Sequence, residues 1–182
     1  TLRVGWRTSG RFGVIRDCSL HADHEVRVDL LDGVHNVLPP GVTPQTQNRL
    51  SNLLDAYKRA EVDPATGVAT IFLSSLLTDR AEPAEALSAS TVWHVGLPGA
   101  TVTLDPARPR SFGRGTQAQP VTETRGQRGA YLLETSTLLA PGEPLTWATM
   151  IDTGQDAADV VDLIDLVADG TRASAALAQD RV

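Results

Sequence analysis

Alternation of apolar and polar residues recurs along most of this chain and predicts β-strands. In segment 25–31, three apolar residues alternate with two charged ones: Val26, Val28 and Leu30 with Arg27 and Asp29. A period of two marks a strand with one buried face, and we expect this strand to break at Asp32-Gly33. Further strands are predicted at 2–7, 11–21, 68–77, 87–95, 101–104, 131–139 and 145–151.

The turns between these segments carry their own signals. The first two segments read as a hairpin turning at Ser9-Gly10, and Pro141-Gly142-Glu143 is a natural tight turn joining the last two. The almost continuous apolar run at 68–77 indicates a strand covered on both faces. The three tryptophans, at positions 6, 93 and 147, lie in strand segments, where we expect burial.

A period near 3.6 replaces the alternation in two places. Segment 43–60 predicts a helix, capped by Thr43 with Pro44 in its first turn, and Asp55 with Arg59 forms a candidate i,i+4 pair. A C-terminal helix is predicted over 155–169, with an acidic face and an apolar face. The tail beyond it should be helical without a strong apolar stripe.

The elements together predict a mainly β fold, an antiparallel sandwich with one inserted helix and a C-terminal helix. We expect a sandwich domain over 1–154 and a C-terminal helix or linker over 155–182. Because the chain starts at Thr1 and leads straight into a strand, we also expect a fragment or a trimmed domain that is incomplete at its N-terminus.

Composition narrows the classes of function. The 182 residues carry a net charge of −6, so there is no general attraction to nucleic acid or to anionic membranes. Cys18 is the single cysteine, which excludes an internal disulfide and fits a cytoplasmic location. No apolar run is long enough for a membrane helix, and no signal peptide opens the chain.

Three clusters of polar residues have both a functional and a plainer interpretation. His21-Ala22-Asp23-His24 suggests a metal site, but further ligands at useful spacing are missing, so we expect turn residues and no metal. The aspartates of the last helix read as a solvated face. In segment 78–85, Arg80 beside Asp79 and Glu82 reads as a solvated ion pair rather than an acid–base pair.

The stretch 105–128 is long, weakly patterned and rich in arginine. Its arginines are Arg108, Arg110, Arg114, Arg125 and Arg128, against only Asp105 and Glu123. An anion, another domain or a second subunit are candidate partners, and a surface loop is the plainer interpretation. We find no nucleophile elbow, no Cys–His constellation and no phosphate-binding glycine loop, so no cofactor is expected.

Two stretches resemble a known family. Residues 28–42 read VDLLDGVHNVLPPGV, residues 48–59 read NRLSNLLDAYKR and residues 79–83 read DRAEP; later come LAPGE at 139–143 and GQD at 154–156. They are similar to the N-terminal region of large bacterial proteins related to glycoside hydrolase family 94, the group of cellobiose phosphorylase and 1,2-β-oligoglucan phosphorylase. The resemblance covers about residues 28–167.

The resemblance implies a galactose mutarotase-like supersandwich that supports a separate helical-barrel catalytic domain. It also implies a homodimer and a possible oligosaccharide ligand, and it transfers no catalytic residue to this chain. The expected function is thus a non-catalytic sandwich domain of a larger enzyme acting on β-linked glucans. The candidate ligand or interface residues are Tyr57, Arg80, Glu82, Trp93, Arg108, Arg110 and Arg114.

Three alternatives stay open. A free-standing carbohydrate-binding module requires exposed aromatic residues side by side. A small hydrolase requires two facing carboxylates, for which the candidates are Asp29, Asp32, Glu82 and Glu85. A pure assembly domain requires a large apolar patch along the terminal helix.

Overall fold

The computed structural model describes residues 1–75 and 86–180, and these residues form ten strands and five helices. The strands are β1 (Leu2–Ser9), β2 (Gly13–Leu20), β3 (Val26–Val37), β4 (Lys58–Val62), β5 (Ala69–Leu73), β6 (Ala89–Val95), β7 (Thr101–Thr103), β8 (Glu123–Arg125), β9 (Gly129–Leu139) and β10 (Leu145–Gln155). The helices are α1 (Pro44–Arg49), α2 (Ser51–Tyr57), α3 (Arg108–Phe112), α4 (Ala157–Ala168) and α5 (Gly170–Gln179).

The strands form two antiparallel sheets, which confirms the predicted mainly β sandwich. The large sheet has the order β1-β2-β10-β6-β5-β4-β8, and the small sheet has the order β3-β9-β7. One core lies between the sheets, where Val34 and Tyr131 of the small sheet meet Ile71, Val92 and Trp147 of the large one.

A second core covers the opposite face of the large sheet. There Trp93, Ile15 and Met150 pack against Ala173 and Leu177 of α5. The molecule therefore has three layers: helices, large sheet and small sheet. No helix in the described ranges is long and apolar enough to span a membrane.

The central strand of the large sheet is β6 rather than the segment predicted to be covered on both faces. Five consecutive residues of β6 are buried because it contributes to both cores. In β5, by contrast, buried residues alternate with half-buried Thr70 and Phe72. The prediction of two covered faces for 68–77 is thus wrong for the part of that segment that the structure describes.

Strand β3 continues through Asp32-Gly33, where we expected a break. Asp32 points between the sheets and accepts a hydrogen bond from Trp147 Nε1 at 2.6 Å. Gly33 has a φ of 148°, and a side chain there would overlap the backbone oxygen of Tyr131. Two residues that usually interrupt a strand are retained here by close contacts with distant parts of the chain.

The predicted helix 43–60 is two short helices followed by a strand. Its start is confirmed, because Thr43 Oγ1 accepts a hydrogen bond from Thr46 N and Pro44 begins α1. Lys58, however, already belongs to β4. The predicted Asp55–Arg59 pair is therefore wrong, and Asp55 binds Lys58 Nζ at 2.9 Å instead.

The turn at 141–143 connects the two sheets rather than closing a hairpin. It leads from β9 in the small sheet to β10 in the large sheet. The local turn chemistry was predicted correctly, but tight turns do not specify which strands pair.

Of the two C-terminal helices, the weakly patterned α5 is the buried one, and α4, for which an apolar face was predicted, is not. Asp156 caps α4 through a capping box with Asp159, yet none of the residues of α4 is fully buried. The weakly patterned α5 buries three residues and is joined to β1 by Asp180, which accepts hydrogen bonds from Arg7 Nη1 and Ser9 Oγ. Small alanines allow α5 to approach the sheet closely.

Candidate functional site

A cleft of about 610 Å³ lies on the outer face of the small sheet, away from the large sheet. Its floor is formed by Asp29 of β3, Thr101 of β7 and Ser136 of β9, and segment 105–121 forms its wall. Most of the side chains that line it carry hydroxyl, amide or carboxylate groups, and the ring of Phe112 adds an apolar surface.

An ion pair between Arg108 and Glu134 fixes the wall to the floor. Arg108 Nε donates to Glu134 Oε2 at 2.7 Å and Nη2 donates to Oε1 at 2.6 Å, which is the bidentate geometry of a strong pair. Only 2% of Arg108 is exposed. The hydrogen bond to Glu134 outweighs the effect of burial and raises the pKa of Arg108.

Arg108 also organises the segment in which it lies. Its Nη1 donates to Ser111 Oγ and to the carbonyl oxygen of Thr116, at 2.9 and 2.8 Å. Its guanidinium lies 5.5 Å from the centre of the Phe112 ring. One side chain thus positions both the short helix α3 and the chain that follows it.

The two ends of segment 105–121 meet at Thr103. Thr103 Oγ1 accepts hydrogen bonds from Asp105 N and Val121 N, at 3.3 and 3.1 Å. Leu104 N donates to Val121 O at 2.8 Å. The segment is therefore a closed loop with a fixed base, a form common in functional loops.

The candidate residues predicted from sequence do not converge on this cleft. Arg108 lines it, whereas Arg110 and Arg114 are exposed and stand outside the cleft lining. The three arginines named as candidates for binding an anion are therefore not brought together at this cleft. Arg80 and Glu82 lie outside the described residues.

Two aromatic candidates serve packing instead. Trp93 is 2% exposed and meets Phe12 edge to face at 5.5 Å, so its ring is not available to a ligand on the surface. Tyr57 is half-buried against a small cluster with Leu54 and Leu73. Both were predicted as ligand or interface residues, and for both this stays a prediction.

Burial of the tryptophans was predicted correctly for two of the three. Trp93 and Trp147 are buried, whereas Trp6 is 58% exposed on β1. A platform of two exposed tryptophans, which a carbohydrate-binding module of that type requires, is therefore not formed.

The carboxylates proposed for a hydrolase point in different directions. Asp29 is exposed in the outer cleft, whereas Asp32 lies between the sheets with Arg16 and Trp147. Because side chains alternate along a strand, these two cannot face one another. Glu82 and Glu85 lie outside the described residues.

The described residues contain no group of three or more His, Cys, Asp or Glu side chains arranged to hold a metal ion. In the His21–His24 cluster, His21 Nε2 forms a hydrogen bond with Ser19 Oγ at 2.7 Å, and His24 is exposed. Asp162 and Asp165 are exposed on α4, in agreement with a solvated acidic face.

Sequence reasoning missed several polar groups that matter. Glu134 is the single charged residue of β9, and a lone charge within a strand is a usable signal for a paired side chain. The single lysine, Lys58, is 1% exposed and binds Asp55 and Gln47, although it had been given no role. Its partners come from the two helices before β4, Asp55 three positions and Gln47 eleven positions earlier in the chain.

No protein-family model matches this chain, and no curated protein matches it.

Proposed function

We propose that this chain is a non-catalytic sandwich domain of a larger carbohydrate-active protein, and that the outer cleft contacts a β-linked oligosaccharide. The observation that carries the proposal is the chemistry of the cleft, which combines hydroxyl and amide groups, one exposed carboxylate at Asp29 and the ring of Phe112. Sugars are recognised by this combination of hydrogen-bonding groups with an apolar ring surface.

The second carboxylate of the cleft supports binding rather than bond cleavage. Glycoside hydrolysis generally needs two free carboxyl groups, one on each side of the scissile bond. Both oxygens of Glu134 are bound by Arg108, so this group serves to hold the wall of the cleft. Asp29 is then an acceptor for sugar hydroxyls.

The resemblance to the family 94 proteins supplies the larger context. On this proposal a helical-barrel domain of the same protein carries out the chemistry in the cytoplasm, and the sandwich supports the barrel and its oligomer. A galactose mutarotase-like arrangement of the strands belongs to this proposal as well.

Calorimetric titration with β-1,2- and β-1,4-linked gluco-oligosaccharides tests the proposal. We expect binding to the unmodified chain and a loss of at least ten-fold in affinity for Asp29→Ala, since a hydrogen bond to a charged group contributes about 1.5–3 kcal/mol. Asp162→Ala removes an equally exposed carboxylate from α4 and should leave the affinity unchanged. Absence of any heat with both ligand series, or equal losses in both variants, contradicts the proposal.

A further inference from the structure

The edge of the large sheet at β1 carries an unusual apolar stripe. Leu2, Val4 and Trp6 are 52%, 44% and 58% exposed, and they share one face of the strand. Cys18, the cross-strand neighbour of Val4, is buried in the core between the sheets, and Leu20, opposite Leu2, packs against that core. The stripe is thus an extension of that core, left uncovered because the small sheet ends at β3 while the large sheet continues through β2 to β1.

Among residues 1–75 and 86–180, no strand pairs with the outer side of the same three residues. Thr1 and His21 exchange both of their backbone hydrogen bonds, at 2.7 and 2.8 Å, and the register then runs without interruption to Ser9 and Gly13. In an antiparallel ladder such bonded pairs alternate with non-bonded pairs. The odd-numbered residues of β1 therefore bond to β2, and the even-numbered ones turn N–H and C=O outward.

An apolar edge with aligned donors and acceptors is a template for another strand. Natural edge strands are commonly protected by a proline, a bulge or an inward-pointing charge, and β1 has none of these on its even-numbered positions. We infer that a second copy of this chain docks here, with β1 of each copy paired antiparallel to β1 of the other about a two-fold axis at Val4.

The side chains select this register. With the axis at Val4, Leu2 lies opposite the partner's Trp6 and Val4 lies opposite the partner's Val4, which joins the two stripes. About six backbone hydrogen bonds then form between the copies, because every facing pair of even-numbered residues exchanges two. An axis at Gly5 instead places Arg3 opposite the partner's Arg7, and like charges directly opposite are unfavourable.

Charge on the other face of β1 complements this arrangement. In the Val4 register the partner's Arg3 lies opposite Gly5, and space is open there, since a Cβ on Gly5 meets nothing within 4 Å. Gly5 pairs with Asp17 on β2. Asp17 and Asp180 both bind Arg7, at 3.0 and 2.8 Å, so two carboxylates lie close together beside Gly5. The partner's Arg3 is thus placed beside carboxylates, and its charge is complementary to theirs.

Sedimentation velocity over a range of concentrations tests the interface on the 182-residue chain. We expect a reversible dimer of twice the 19.4 kDa monomer mass. Val4→Lys places two ammonium groups opposite each other and should weaken the dimer at least about ten-fold. Leu138→Lys adds the same charge at a similarly exposed position on β9, with 57% exposure, and should leave the dimer intact. Circular dichroism melting shows whether both variants fold.

Cross-linking tests the register independently of affinity. In the Val4 register, Val4→Cys brings two cysteines to a Cα–Cα separation of about 5.5 Å, which a disulfide can span. Mild oxidation should give a covalent dimer with Val4→Cys but not with Gly5→Cys. Burial raises the pKa of Cys18 to about 11, so this thiol does not compete.

Three results overturn the inference: a monomer at the highest soluble concentration, no covalent dimer from Val4→Cys, or cross-linking by Gly5→Cys instead. The interface does not depend on the proposed sugar site, because β1 belongs to the other sheet. Loss of oligosaccharide binding in Asp29→Ala with an intact dimer, or the reverse, separates the two proposals. The interface would also specify the contact of the homodimer that the family resemblance implies.

Discussion

The two faces of the small sheet each carry an arginine–carboxylate pair, and the two pairs do different things. Asp32 of β3 points inward to Arg16, and Glu134 of β9 points outward to Arg108. The carboxylates are close in the sheet, since Asp32 lies beside Leu133, the residue that precedes Glu134. The same chemistry is thus placed on both faces of the same strand pair.

The inner pair joins the two sheets, whereas the outer pair joins a sheet to a loop. Asp32 is bound by Arg16 of β2 and Trp147 of β10, so it contacts two neighbouring strands of the large sheet. Glu134 is bound by the loop that forms the wall of the cleft and keeps a quarter of its side chain exposed. We therefore expect the inner pair to control global stability and the outer pair to control the order of the cleft.

The largest expected effect comes from breaking the inner pair. Asp32→Ala leaves Arg16 as an unpaired charge with 12% exposure and removes the acceptor of Trp147 Nε1. Losing one partner of such a buried pair costs about 3–5 kcal/mol of unfolding free energy, measured by urea denaturation. Asp29→Ala, an exposed change on the opposite face of β3, should cost no more than about 0.5 kcal/mol. Similar losses of unfolding free energy in Asp32→Ala and Asp29→Ala would contradict the difference assigned to the inner and outer faces of β3.

The inner pair also shows why only part of the fold could be predicted. Alternation arises locally wherever a strand has one solvent-exposed face and one buried face. The strands and their antiparallel sandwich could therefore be predicted from the sequence. Asp32 and Gly33 have local preferences against strands, and those preferences are overridden by contacts with Trp147 and Tyr131, about a hundred positions away. Such contacts leave no periodic signal in the chain.

Even less of the outer cleft could be predicted from the sequence. The density of arginines drew attention to segment 105–128, and the arginine that lines the cleft, Arg108, is the buried one. Its partner lies 26 positions away, and the choice among three neighbouring arginines depends on the register of β9. Arg110 and Arg114 have the same residue type without a partner in the cleft. Sequence thus indicates where a loop interacts but not which side chain does so.

The second-largest effect concerns pH and again belongs to the interior. His94 Nδ1 lies 2.8 Å from Tyr131 Oη, and Tyr131 donates its only hydroxyl proton to Gly67 O at 2.9 Å. His94 Nδ1 is therefore the donor to Tyr131 Oη. Burial lowers the pKa of His94 from 6.5 to about 4, so the neutral ring is the form that fits the fold.

The sign of the pH dependence follows from this lowered pKa. Below pH 6.5 His94 is protonated in the unfolded chain but stays neutral in the folded protein until about pH 4. The free energy of unfolding is therefore highest above pH 6.5 and falls progressively toward pH 4. The expected loss is about 2–3 kcal/mol between pH 7.5 and 4.5, measured by urea unfolding at each pH.

His94→Phe should remove most of this dependence, and His24→Asn, at an exposed position, should preserve it. Carboxylates with lowered pKa, such as Asp55 and Asp180, contribute only at more acidic pH. An unchanged pH profile in His94→Phe would assign the dependence to other groups.

The smallest effect on stability is expected at the outer pair, where the consequence is local. Glu134→Gln removes the charge of the carboxylate but keeps one side-chain oxygen as an acceptor for Arg108, and the hydrogen bonds of Arg108 to Ser111 and Thr116 remain. We expect a loss of only about 1 kcal/mol in unfolding free energy.

Trypsin provides the more sensitive measurement, because Arg110 and Arg114 are exposed cleavage sites within the loop. Cleavage at these sites should be several-fold faster in Glu134→Gln, whereas Glu143→Gln, at an exposed turn, should match the unmodified chain. If Glu134→Gln instead destabilises the whole protein as much as Asp32→Ala, the outer pair is a structural element of the sheet, and its link to an ordered cleft is lost.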